Sequence, residues 1–78
     1  MNHLVGIFMA NFTPREKQVI SLIAEGNTVP EIATELDLSI HTVRSYTKSI
    51  MQKLDAKNIA HAIALVYQNE EIDDSISV

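Results

Sequence analysis

Arg44, Ser45 and Lys48 lie close together in the run Ser39-Ile-His-Thr-Val-Arg-Ser-Tyr-Thr-Lys-Ser-Ile-Met-Gln-Lys-Leu54. If that run is helical they share one face, because residues three and four apart are neighbours on a helix surface. A guanidinium placed there can donate two parallel hydrogen bonds to the O6 and N7 of a guanine, and an ammonium one turn on reaches the same groove edge. A serine hydroxyl both donates and accepts, so it discriminates only weakly among bases. Together these residues offer the chemistry of reading base edges in the DNA major groove. Other chemistries find no support. There is no Ser-His-Asp constellation or glycine-rich phosphate loop, so no enzyme is expected. His3, His41 and His61 lack ligand spacing and no cysteine joins them, so neither a metal nor another cofactor is expected.

The elements that must position these side chains are helices. Thr13-Pro-Arg-Glu16 supplies an N-cap threonine, a proline whose missing N–H is no loss, and a glutamate placed to close a capping box. Val19, Ile20, Leu22 and Ile23 then form an apolar stripe, Gly26 stops the helix, and Phe12 can pack as a hydrophobic staple. Thr28-Val-Pro-Glu31 repeats the start signal for a short helix whose buried face is Ile32, Ala33 and Leu36. Ser39 caps a third helix after a connection of about three residues, which makes a helix-turn-helix. Within it Val43, Tyr46 or Thr47, Ile50, Met51 and Leu54 mark the buried side, and Arg44, Ser45, Lys48 and Gln52 the opposite side. Asn58 caps a fourth helix in which Ile59, Ala62, Ile63, Val66 and Tyr67 recur at helical spacing, a stripe wider than a small core requires. The expected fold is all-α, a four-helix helix-turn-helix domain with helices at about 14–25, 29–36, 40–54 and 58–69. An apolar extension over 1–11 precedes it, the domain covers 12–69, and an acidic tail over 70–78 is expected to be disordered.

Charge sharpens this picture. The chain of 78 residues has a net charge of −4 and no cysteine, which suits a reducing cytoplasm and a single thin-cored domain. Glu70, Glu71, Asp73 and Asp74 account for the acidity, leaving residues 1–69 neutral. Four of the six cations, Arg44, Lys48, Lys53 and Lys57, fall in the third helix and its exit, opposed there by Asp55. The run Leu4-Val-Gly-Ile-Phe-Met-Ala10 is too short to span a bilayer and lacks a signal peptide's basic flank, so no membrane partner is expected.

The segments Phe-Thr-Pro-Arg-Glu-Lys-Gln-Val-Ile-Ser-Leu-Ile-Ala-Glu-Gly, Glu-Ile-Ala-Thr-Glu-Leu, Ser-Ile-His-Thr-Val-Arg and Met-Gln-Lys-Leu together resemble the LuxR/FixJ-type (NarL/GerE-like) DNA-binding domain of bacterial transcription regulators. The resemblance runs from about Phe12 to Tyr67. It implies that the third helix enters the major groove with Arg44, Ser45 and Lys48 facing base edges. It also implies phosphate contacts from Thr28, Thr42, Tyr46, Lys53 and Lys57 and from the amides opening helices two and three. The fourth helix would pair with its counterpart in a second subunit through Ile59, Ala62, Ile63, Val66 and Tyr67. Three features depart from the family pattern. Asp37 and Asp55 stand where glycine is common on either side of the third helix, a stand-alone reader without a receiver or sensing domain is expected, and the acidic tail is an addition.

The function expected is that of a sequence-specific DNA-binding transcription regulator, homodimeric, with double-stranded DNA as its partner. A second reading is a protein-interaction adaptor that pairs with RNA polymerase or another LuxR-type regulator and binds DNA weakly. A third, a promoter-reading domain similar to region four of sigma factors, is disfavoured by the well-formed helix after Asn58.

Overall fold

The structure is a computed structural model that describes residues 11–77, with side chains described over 11–68. The apolar extension expected over 1–11 therefore lies, apart from Asn11, outside the described residues. Four α-helices and no strand occur among the described residues: α1 Pro14–Ala24, α2 Val29–Leu36, α3 Ile40–Leu54 and α4 Ile59–Ser77. The architecture is all-α, as the sequence periodicity predicts.

Each of the first three helices begins where a side chain satisfies an amide that the helix leaves without a partner. Thr13 Oγ1 accepts the Glu16 amide at 3.1 Å while Glu16 Oε1 accepts the Thr13 amide at 2.8 Å, a closed capping box. Thr28 and Glu31 repeat the arrangement at 3.3 and 2.7 Å. At α3 the Ser39 hydroxyl accepts the Thr42 amide at 3.0 Å and donates to Thr42 Oγ1 at 2.9 Å. The fourth helix begins after Asn58, whose Oδ1 accepts the His61 amide at 2.8 Å.

The helix ends need left-handed residues. Gly26 has φ +98°, and a Cβ built on it would meet nothing within 4 Å, so the residue is glycine for its backbone angle and not for room. Asp37 (φ 56°, ψ 48°) and Asp55 (φ 53°, ψ 44°) adopt the same αL region at the ends of α2 and α3. Behind them the Leu38 amide reaches Ala33 O at 2.8 Å and the Ala56 amide reaches Met51 O at 3.0 Å, the long closing bond of a Schellman turn. The chain thus turns from α2 into α3 over residues 37–39.

Phe12, Val19, Ile20, Ile32, Ala33, Val43, Ile50, Ala62 and Val66 form the core, drawn from all four helices and from Phe12, two residues before α1. The helix α3 packs against each of the other three. The helix α4 runs to Ser77, past the end expected near residue 69. No glycine or proline interrupts that segment, so nothing in its local chemistry stops the helix there. Among the described residues no helix is long and apolar enough to cross a membrane.

Candidate nucleic-acid interface

Val43 and Ile50, seven residues apart, are fully buried and orient α3. The opposite side of the helix consequently faces solvent, and it carries His41, Arg44, Ser45, Lys48 and Gln52. Among the described residues the side chains of Arg44, Ser45 and Lys48 make no hydrogen bond or ion pair. Two full cations therefore stand one turn apart with their donors available. Lys57, in the turn leaving α3, is also exposed; its backbone amide donates to His61 Nδ1 at 3.0 Å.

The expected phosphate contacts fare differently from one another. Thr42 is half-buried, and its hydroxyl oxygen accepts from Ser39. Tyr46 is half-buried against the core. Thr28 is exposed, but its hydroxyl and amide are both engaged by Glu31. Glu31 has its carboxyl pKa lowered, first by the Thr28 amide and then by the Thr28 hydroxyl, which outweigh a small effect of burial. A carboxylate thus occupies the start of α2, where a phosphate would otherwise be attracted. By contrast α3 has no acidic residue in its first turn.

Lys53 is engaged within the chain. Expected on the DNA backbone, it is turned onto the buried Glu16, with Nζ 2.7 Å from Oε1, while donating to Asn11 O at 2.8 Å and lying 5.6 Å over the Phe12 ring. The Ser49 hydroxyl donates to Glu16 Oε2 at 2.7 Å. Burial pushes the Glu16 carboxyl up, but the Lys53 hydrogen bond, the Thr13 amide, the Ser49 hydroxyl and the charge of Lys53 together bring it down to about 2. This cluster ties the start of α1 to the second half of α3. Sequence reasoning found the local Thr13–Glu16 half and missed the Ser49 and Lys53 half, because no spacing rule joins residues that far apart in the chain.

The residues of the expected pairing face of α4 differ in burial. Ala62 and Val66 are 0% and 2% exposed within this chain, so they belong to its own core. Ile59 and Ile63 are half-buried against that core. The outward side is formed by Ala60, Ala64 and Tyr67, at helical spacing, with Tyr67 36% exposed.

Comparison with known proteins places this geometry. The pattern described as bacterial regulatory proteins, luxR family, matches residues 10–66. The chain is 47% identical over 51 residues to the transcriptional regulatory protein DesR of Bacillus subtilis, covering 65% of this chain and 26% of that protein. It is 48% identical over 46 residues to the transcriptional regulatory protein RcsB of Escherichia coli, covering 59% of this chain and 21% of that one. With the spore germination protein GerE of Bacillus subtilis the identity is 36% over 61 residues, covering 78% of this chain and 82% of the relative. The chain therefore spans about a quarter of DesR but most of GerE. Four helices with a three-residue turn before an exposed basic helix face, together with these matches, make the chain a member of the luxR family of bacterial regulatory proteins.

Proposed function

We propose that this chain is a sequence-specific DNA-binding regulator of transcription, acting in the cytoplasm and reading the major groove with α3 as a homodimer joined through α4. The observation that carries the reading is the exposed face of α3, where Arg44, Ser45 and Lys48 project with no partner among the described residues. Arg44 pairs with guanine O6 and N7, and Lys48 reaches an acceptor one turn further along the groove. Lys57 and the opening amides of α3 hold phosphates and set the register without reading sequence. The test is selection of bound duplexes from random DNA. Arg44→Ala should cost roughly 1–3 kcal/mol on the selected site and relax preference at one position. Equal loss on every sequence would contradict the assignment.

A second reading is favoured by a specific set of charges. Glu31 occupies the start of α2, Lys53 is paired with Glu16, and Asp37 and Asp55 stand at the two ends of α3. All four features weaken attraction for phosphate, which suits an adaptor that pairs with RNA polymerase or a full-length regulator. A salt titration separates the two. A reader loses about 0.9 log unit of affinity per neutralised phosphate for each log unit of salt; no binding at low salt favours the adaptor.

A further inference from the structure

Ile23 of α1, Val29 of α2, Met51 of α3 and Ile59 of α4 are half-buried, one from each helix, and together they line a cavity of about 510 Å³. We propose that this cavity binds a small monocarboxylic acid, with the apolar body of the acid among these four side chains and its carboxylate on Lys57 at the rim. The bound acid occupies a cation assigned above to phosphate, and so lowers affinity for DNA. That consequence, unlike the binding itself, rests on the DNA-reading function proposed above.

The volume falls within the range of about 300–1,000 Å³ usual for small-molecule sites, which are mainly apolar and carry a few placed polar groups. The inner wall fits that description. Its four apolar side chains pack on the core with one side and leave the other to the cavity. Met51 among them is unbranched and can adjust its shape to what it meets. Thr47 and Asn27 also line the cavity, but the Thr47 hydroxyl donates to Arg44 O at 2.7 Å and Asn27 Nδ2 donates to Leu22 O at 2.9 Å. Their donors are thus committed within the chain, and the wall offers a ligand chiefly methyl and methylene groups.

The rim is different. Residues 57–59 line it and carry three donors in succession: Lys57 Nζ, Asn58 Nδ2 and the Ile59 amide at the start of α4. None of the three has an acceptor among the described residues. The backbone that carries them is already held, because the Lys57 amide donates to His61 Nδ1 at 3.0 Å and Asn58 Oδ1 accepts the His61 amide at 2.8 Å. Little ordering is therefore left for a ligand to impose. No Asp or Glu lines the cavity, and Asp55, in the neighbouring cleft, makes no ion pair with Lys57. One full cation flanked by neutral donors matches a single carboxylate, whose oxygens only accept. Nearby clefts lack this bias: that between α1 and α2 holds Lys17 together with Glu35, and that beside Thr34 holds Glu31 and Glu35.

The test titrates the full chain with octanoate, and with 1-octanol as its uncharged counterpart, while the methyl resonances of Ile23, Val29, Met51 and Ile59 are followed. Octanoate should shift these methyls saturably and leave those of Ile40, exposed at the start of α3, in place. The alcohol should bind about tenfold more weakly. Lys57→Gln should erase that difference, weakening octanoate about tenfold and leaving 1-octanol unchanged. Val29→Phe fills the cavity and should abolish binding of both, with circular dichroism checking that each variant keeps its helices. In a DNA titration octanoate should weaken binding by the same factor on every duplex, and Lys57→Gln should not respond. A Met51 methyl that stays in place up to the solubility limit of octanoate would overturn the site, as would equal shifts at Ile40, the mark of nonspecific adsorption. Equal affinity for octanoate and 1-octanol would overturn the carboxylate. Methyl shifts with unaltered DNA binding would overturn the competition alone. Octanoate binding by a chain that holds no duplex at low salt would overturn the DNA-reading function and leave the site standing.

Discussion

A carboxylate that accepts three hydrogen bonds and an ammonium charge has little tendency to take up a proton. Glu16 is 4% exposed and its carboxyl is held at about 2, against 4.5 for the free side chain. Because the folded value lies below the unfolded one, the native state binds fewer protons between them. The contribution to stability is complete above pH 4.5, declines as pH falls, and is gone once the folded carboxyl titrates near 2. Linkage sets it at up to about 3 kcal/mol before discounting for the solvent that reaches Lys53. Glu16→Gln should therefore lower stability at pH 7 and flatten the acid limb of the curve, as urea unfolding at several pH values would show. Lys53→Ala should behave as a stability variant, lowering Tm, whereas Lys48→Ala should leave Tm unchanged. An unaltered Tm for Lys53→Ala would return that residue to the DNA face. The exposure of Arg44, Ser45 and Lys48 was legible in the sequence, since the spacing of Val43 and Ile50 places them opposite the core. The pairing of Lys53 with Glu16 was not, because it depends on how α1 lies across α3.

Helix ends show the same division between local and distant causes. The starts of α1, α2 and α3 were readable because Thr13, Thr28 and Ser39 act on amides within three residues. The ends of α2 and α3 were readable for a related reason: aspartate is among the non-glycine residues that best tolerate αL, and both Asp37 and Asp55 adopt it. The end of α4 was not readable, as no such punctuation follows Gln68. Asp55 combines a tolerated backbone with an unfavourable charge at the negative end of the α3 dipole. Asp55→Asn keeps the αL preference and removes the charge. It should raise stability by about 0.3–1 kcal/mol at low ionic strength, measured by thermal melting, and the gain should shrink as salt is added. A gain that persists in high salt would mean that the backbone, and not the charge, is the cause.

Among the described residues nine buried apolar side chains form the core, and α4 gives Ala62 and Val66 to it while turning Ala60, Ala64 and Tyr67 outward. Such a helix can serve the fold and a second subunit with different faces. Ala64→Arg adds bulk and charge to the outward face only, so the monomer should keep its melting profile while the sedimenting mass falls to that of one chain. A mass unchanged by the substitution would remove Ala64 from the pairing surface. The Glu16 cluster also bears on the order in which the chain folds. Its carboxylate closes a box with Thr13 that needs only a short stretch of chain, whereas Ser49 and Lys53 reach it across 33 and 37 residues. Local closure is expected to precede the distant contacts, which would make the first turn of α1 a landing point for α3. Thr13→Ala should chiefly slow refolding, and Ser49→Ala should chiefly speed unfolding, a contrast that the two limbs of a chevron plot would display.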